Sequence, residues 1–349
     1  MEDTEDPTAD HIYDVVEAEV ESYLLGSSRR HTTTELVERA SVTLVEATDL
    51  WVALGFPIPR QRDTARYTDV DADAMHTLAG LVEDGIIDAR MRLALARTIG
   101  QATARLAEWQ SDVLTAEILN GLEDLGEDPS DRKIRKLARR TAERTIPALE
   151  QLQNYVWRRH MAAAMRRSLA ATRTDPAERN LVVGFADMVG YTRLTRHLDR
   201  DELTDLLEAF ESITTHIVTS HGGAVIKNVG DEVMFVVDEP AAAADLALDL
   251  RANTDANDDT PQLRIGLAAG PVLQRFGDVY GSTVNIAARL TGVARPSTVL
   301  IDDHLADVLA DDPRYAFRHL RDVRVHGINR LGAHVLRRAE AGTPGLQRQ

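Results

Sequence analysis

The chain has 349 residues, enough for two domains of ordinary size, and its 44% hydrophobic and 28% charged residues allow sizeable buried cores. It contains no cysteine, which excludes disulfide scaffolds, cysteine-based zinc sites, iron–sulfur clusters and a thiol nucleophile, and suits a reducing compartment. Forty Lys and Arg against 56 Asp and Glu give a net charge of −16, which repels nucleic acid overall and leaves only local anion sites.

The acidic opening, residues 1–10, reads as a frayed tail. It lacks the basic-then-apolar order of a secretion signal, and no run approaches 18 apolar residues, so a cytoplasmic chain without a membrane span is expected. Residues 11–130 read as an all-helical domain, because apolar residues recur at three-to-four spacing in 12–25, 34–54, 72–87 and 90–119. Thr34 before Glu35 marks a helix start. Gly55-Phe56-Pro57 marks a stop, since Gly suits a C-terminal cap and Pro cannot continue a helix.

Residues 131–173 change character. Twelve Lys and Arg lie between 132 and 173 against two acids, Glu143 and Glu150, so one long basic helix is expected, kinked or restarted at Pro147. It reads either as a solvated connecting helix or as a movable linker that pairs with acidic surface elsewhere. Arg173-Thr174-Asp175-Pro176 is a breaker, and from 174 to 349 strands alternate with helices. Strands are expected at 181–186, 224–229, 233–237 and 263–268, with 298–301 as a final short one; helices are expected at 203–221, 240–252 and 284–293. The whole is an α+β protein, its C-terminal domain running βαββαβ in the ferredoxin-like manner, an arrangement that hosts many unrelated functions.

Asp187 ends the first of these strands and Asp231 sits in a hairpin turn. Adjacent central strands would bring both carboxylates to one rim, as Mg²⁺ or Mn²⁺ requires, although each residue also suits a turn by its local hydrogen bonding. Met188-Val189-Gly190-Tyr191-Thr192 then leaves the strand through a glycine, a loop that can cradle phosphates. Asn285 and Arg289, four apart, share one helix face.

Three segments together are specific. Phe185-Ala186-Asp187-Met188-Val189-Gly190-Tyr191-Thr192, Lys227-Asn228-Val229-Gly230-Asp231-Glu232-Val233-Met234-Phe235 and Gly277-Asp278-Val279-Tyr280-Gly281-Ser282-Thr283-Val284-Asn285-Ile286-Ala287-Ala288-Arg289-Leu290 resemble, in order and spacing, the signatures of class III nucleotidyl cyclases. The resemblance spans 181–339. It implies that Asp187 and Asp231, with the Met188 carbonyl, hold two Mg²⁺ or Mn²⁺ ions. It implies that Lys227 and Asp278 read adenine, Asn285 orients the ribose and Arg289 stabilises charge on the phosphorus. The loop at Gly190, Tyr191 and Thr192 is expected to cradle the triphosphate, and the resemblance implies that Arg275 reaches its β- and γ-phosphates. The implied reaction turns ATP into cyclic AMP and pyrophosphate at sites shared across a homodimer.

A different class of function is open to the N-terminal half. Residues 31–37, 50–56 and 66–68 resemble the helix-turn-helix layout of MerR-type transcription factors, yet 40–59 holds no Lys or Arg and carries Glu46 and Asp49 where phosphate contacts need cations. The layout is also similar to the helical regulatory domain that precedes some bacterial class III cyclases, which implies control of activity. Trp51 and Trp109 read as core or as the lining of a pocket for an apolar ligand such as a fatty acid. His160 and seven histidines after 180 offer protonation as a signal.

Overall fold

Helix-capping chemistry divides the first half of the chain. The computed structural model describes residues 7–26, 29–58, 65–126, 129–171, 179–256, 261–275, 277–325 and 328–339. Residues 1–6 of the expected tail and the expected joint at 173–176 lie outside the described residues. Two compact units emerge, residues 1–166 and 167–349.

The first unit opens with α1 (Pro7–Leu24), which takes in the last four residues of the expected tail. The single segment expected at 34–54 is two helices, α2 (Thr33–Ala40) and α3 (Leu44–Ala53). Thr32 and Thr43 each form a capping box with the Glu three residues on, and Ser41 between the helices adopts a left-handed conformation. Periodicity alone does not register such a break, because both helices keep their apolar faces on one core. That core joins Leu36, Leu50, Tyr67, Met75 and Ala96, drawing also on α4 (Asp69–Glu83) and α5 (Ala89–Glu123).

The basic helix α6 (Asp131–Ala171) continues through Pro147 without interruption. Pro147 removes one donor on an exposed side of the helix, where water can meet the carbonyl left over. Before it, Ile134, Ala138, Ala142 and Ile146 are buried; Ala142 and Ile146 pack with Leu114 and Ile118 of α5 and Val16 and Val20 of α1. After it, Leu152, Tyr155, Trp157, Met161 and Met165 are exposed. The first half of this helix is therefore core for its unit.

The second unit contains β1 (Arg179–Met188), α7 (Tyr191–Leu194), α8 (Arg200–Ser220), β2 (Ala224–Val229), β3 (Glu232–Val237), α9 (Pro240–Asp255), β4 (Leu263–Arg275), β5 (Asp278–Tyr280), α10 (Ser282–Val293), β6 (Thr298–Asp302), α11 (Asp303–Val308), β7 (Tyr315–Val325) and β8 (Ile328–Arg338). The sheet order is β2-β3-β1-β4-β6-β8-β7, with β5 paired to β4 beside that row. In the row β2, β3, β1 and β4 each strand is antiparallel to its neighbour, the ferredoxin-like core expected of βαββαβ. Thr298–Asp302 is not the final strand: β6 runs parallel to β4, and the β7–β8 hairpin pairs on its far side. That hairpin escapes a pattern search because its register shifts between Leu320 and Val323, which breaks the period of two. Strand β4 also outruns its expected end, since Gly270 and Pro271 pair with Leu181 and Asn180 instead of turning.

Asp302 joins β6 to α11. Its buried carboxylate accepts from Leu305 N at 3.1 Å and Ala269 N at 3.2 Å, and burial raises its pKa against both bonds. A raised carboxyl pKa means that the folded chain holds the proton more tightly than the unfolded one. Asp302→Asn keeps an acceptor and removes the charge. The stability of the native chain relative to this variant should therefore fall as pH rises from the ordinary carboxylate range through the raised value, as read from urea midpoints; a pH-independent difference would contradict this. Asp302→Ala removes the cap and should cost about 1–2 kcal/mol.

Candidate active site

Alternate residues of β1 serve two cores. Val182, Ala186 and Met188 join the core with α8 and α9, whereas Leu181, Val183 and Phe185 join the core with α10. Asp187 has the parity of the second set. Its cross-strand neighbours are Glu232 on β3 and Arg264 on β4, and neighbours in register share a face. Asp231, in the β2–β3 turn, lies within hydrogen-bonding reach of the Asp187 carboxyl, and its backbone carbonyl accepts from Met188 N at 3.0 Å.

Three carboxylates and one guanidinium thus meet at one rim. Burial raises the pKa of Asp187, the charge of Asp231 adds to that rise, and an ion pair with Arg264 opposes it. Burial likewise raises Glu232, with Asp187 and Asp231 contributing. Arg264 Nε is buried without a hydrogen-bond partner. Crowded oxygen donors whose pKa values stay raised despite the charges of Arg264 and Lys227 are the environment a hard divalent ion fits, so the residues present suit Mg²⁺ or Mn²⁺. Glu232 and Arg264 were not singled out from the sequence. A charged residue inside the run Leu263-Arg264-Ile265-Gly266-Leu267 was the available signal, but only strand register shows what it faces.

The other expected residues form a second group. Lys227 Nζ donates to Asp278 Oδ2 at 2.8 Å, across 51 residues of sequence. Burial alone would raise the Asp278 carboxyl, yet the bonds from Lys227 and Val279 N and the Lys227 charge hold it below the usual range. Arg275 ends β4 directly opposite Asp278. Asn285 is exposed and Arg289 half-buried on α10, whose Ala287 and Leu290 face the sheet. Helix and sheet approach closely because position 266 is glycine: a Cβ there would lie 2.4 Å from Thr291 N and 2.6 Å from Ala287 O. Gly190 (φ +79°) turns the chain from β1 into the single-turn α7, leaving Tyr191 half-buried and Thr192 exposed beside the rim.

In the N-terminal unit, Trp51 packs against Phe56 and Tyr67 with centroids 4.6 and 4.9 Å away, and Trp109 is exposed. Neither lines the large cavity of this unit. That cavity, about 790 Å³, lies among α1, α5 and α6, with Val16, Val20, Leu114, Ile118, Ile146 and Leu149 on its walls. The helix at the expected recognition position, α3, exposes Leu44, Val45, Asp49 and Val52, and its Glu46 bonds Arg92 at 3.1 Å. It offers no cation to a phosphate backbone.

The family model for the adenylate and guanylate cyclase catalytic domain matches residues 175–338. A protein of Streptomyces coelicolor named adenylate cyclase is 40% identical over 305 residues, covering 86% of this chain and 77% of the relative. Adenylate cyclases of Streptomyces griseus (38%, covering 88% of this chain and 74% of the relative) and Glutamicibacter nicotianae (33%, 95% and 85%) are similar over comparable lengths. The likeness therefore runs through both units.

The rim's electrostatics are open to direct measurement. A double-mutant cycle on Asp187→Asn and Arg264→Met, followed by urea unfolding in the presence of chelator, should give a coupling of about 1–3 kcal/mol. Additive effects would mean that the guanidinium does not compensate these carboxylates.

Proposed function

The chain belongs to the adenylate and guanylate cyclase family, as an adenylate cyclase and hence a phosphorus–oxygen lyase, and on that footing we propose how its own residues carry the reaction. Two divalent ions are held by Asp187 and Asp231, with the Met188 carbonyl as a further ligand. When bound, such ions lower the pKa of the ribose 3′-hydroxyl and neutralise the triphosphate. Backbone groups of Gly190, Tyr191 and Thr192 and the side chain of Arg275 position the phosphates. The 3′-oxygen attacks the α-phosphorus in line; the O3′–P bond forms, the bond to the bridging oxygen breaks, and pyrophosphate leaves. Arg289 stabilises the charge on the phosphorus and Asn285 orients the ribose. The hydroxyl proton passes to solvent, since no histidine lies in these segments.

The observation that carries the choice of base is the Lys227–Asp278 pair. Adenine presents an acceptor at N1 and a donor at N6, so a Lys donor and an ionised Asp acceptor exchange their mutual bond for one each to the base. The depressed Asp278 pKa supports the ionised form. Guanine inverts both polarities. The metal-binding aspartates of one copy work with Lys227, Asp278, Asn285 and Arg289 of the other, so a two-fold homodimer carries two equivalent sites. Apolar side chains left exposed on α6 after Pro147 support an assembly of two chains. The cytoplasm, where ATP is abundant, is the compartment this reaction suits, and among the described residues no helix is long and apolar enough to cross a membrane.

Asp187→Ala or Asp231→Ala should lower cyclic AMP formation about a thousandfold or more in a chain that still dimerises. Mixing Asp187→Ala with Lys227→Ala chains should restore activity through the one intact site of the mixed dimer. Mixed dimers that form and stay inactive would rule out sharing, and equal kcat/KM for ATP and GTP would rule out the assigned base reading.

The N-terminal unit we assign to control of this activity. The cavity between α1, α5 and α6 supports an apolar effector. Among the described residues its lining includes Glu17 and Glu150 and no Lys, Arg or His, which favours a neutral head group over the carboxylate of a fatty acid. Protonation at exposed His160 is the second route, and His160→Ala should then flatten the pH–activity profile. Filling the cavity with Ser111→Trp should change the rate of cyclic AMP formation several-fold, and an unchanged rate would discount the cavity as a control site.

A further inference from the structure

A second cluster of metal-ligating side chains lies far from the catalytic rim. Asp187 pairs with Arg264, and Arg264 runs beside Thr298 at the start of β6. Asp302, at the other end of β6, pairs with Ala333 on β8. At about 3.3 Å per residue, the length of β6 separates the two places, with β4 and β6 lying between β1 and β8 in the sheet.

Asp303 opens α11, His319 lies on β7 and His334 on β8. The two histidines are directly opposite in the β7–β8 pairing, so their rings share one face, with centroids 4.8 Å apart. His334 Nε2 lies 2.8 Å from Asp303 Oδ1. One nitrogen from each imidazole and one carboxylate oxygen all lie within 4.8 Å of one another. The carboxylate reaches this place only because residue 332 has no side chain: a Cβ on Gly332 would sit 1.9 Å from Asp303 Oδ2. The backbone of β8 thus leaves a seat for the carboxylate beside His334.

We propose that Asp303, His319 and His334 bind Zn²⁺, or a transition ion with the same preference for imidazole. Two imidazoles and a carboxylate form a three-ligand set for tetrahedral Zn²⁺, with the fourth position left to water. Mg²⁺ prefers oxygen donors throughout, which separates this site in chemistry from the rim at Asp187 and Asp231. Zinc–ligand bonds of about 2.0–2.2 Å place tetrahedral donors about 3.3–3.5 Å apart. Asp303 and His319 are exposed and His334 is half-buried, so small side-chain rotations complete the closure while water keeps access. The ion adds a tie between the paired strands β7 and β8 and the start of α11, whose Leu305 already shares a core with Leu336 of β8.

The test uses the full chain, stripped with chelator and titrated with Zn²⁺ by calorimetry and with Co²⁺ by visible absorption. The expected result is one ion per chain at this site, retained in an Asp187→Asn/Asp231→Asn background. Affinity should fall at least tenfold in His319→Gln, His334→Asn and Asp303→Asn chains whose metal-free circular dichroism matches the native chain. Zn²⁺ should raise the thermal midpoint of the native chain and not of these variants. His319→Gln, the most exposed imidazole of the set, decides the matter if His334→Asn fails to fold. Equal affinity in native and His319→Gln chains, or no binding to the native chain at millimolar Zn²⁺, would overturn the proposal.

Discussion

Strand β1 is hydrogen-bonded along both edges, to β3 on one side and β4 on the other, and every feature of the candidate active site is measured from it. With both edges paired and both faces packed, its register has no freedom: a slip of one residue would turn Leu181, Val183 and Phe185 into the wrong core. The last residue but one of such a strand can carry a charge into a semi-buried place, because ten residues of pairing hold it there. Asp187 is that residue. Glu232 and Arg264 then face it by consequence of register, and the Gly230-Asp231 turn brings the fourth charged group.

The same logic bears on the anionic nucleotide proposed as substrate for so acidic a protein. A net charge of −16 cannot attract a triphosphate over long range. The cations of the proposed site are instead placed one at a time: Lys227 on β2, Arg264 on β4 and Arg289 on α10, each on an element anchored by apolar packing. Lys227 is held ready by Asp278 and Arg264 by Asp187, so these charges are oriented before a ligand arrives.

In the N-terminal unit the governing constraint is helix termination. Capping boxes at Thr32, Thr43 and Thr68 stop and restart the chain so that short helices converge on Leu36, Leu50 and Met75. The long helix α6 has two natures within one element. Up to Ile146 small and branched apolar residues at every fourth position seal it to α1 and α5, and beyond Pro147 its large apolar side chains meet solvent in the single chain. Basic residues dominate its composition throughout, so composition alone conceals this change.

The sequence by itself determined most of the helices, the ferredoxin-like order of the first four long strands and, through its resemblance to class III nucleotidyl cyclases, the roles proposed for Asp187, Asp231, Lys227, Asp278, Asn285 and Arg289. These rest on local information: periodicity, turn residues, and motifs in which reactive side chains lie within a few positions of one another. Only the tertiary structure decided that Arg264 faces Asp187, that Lys227 bonds Asp278 directly, that the large cavity is lined by α1, α5 and α6 rather than by the tryptophans, and that Asp303 finds His319 and His334. Each of these depends on which strand lies beside which and in what register. Strand pairing is set by the summed burial of two whole faces, a non-local quantity that no short run of residues contains.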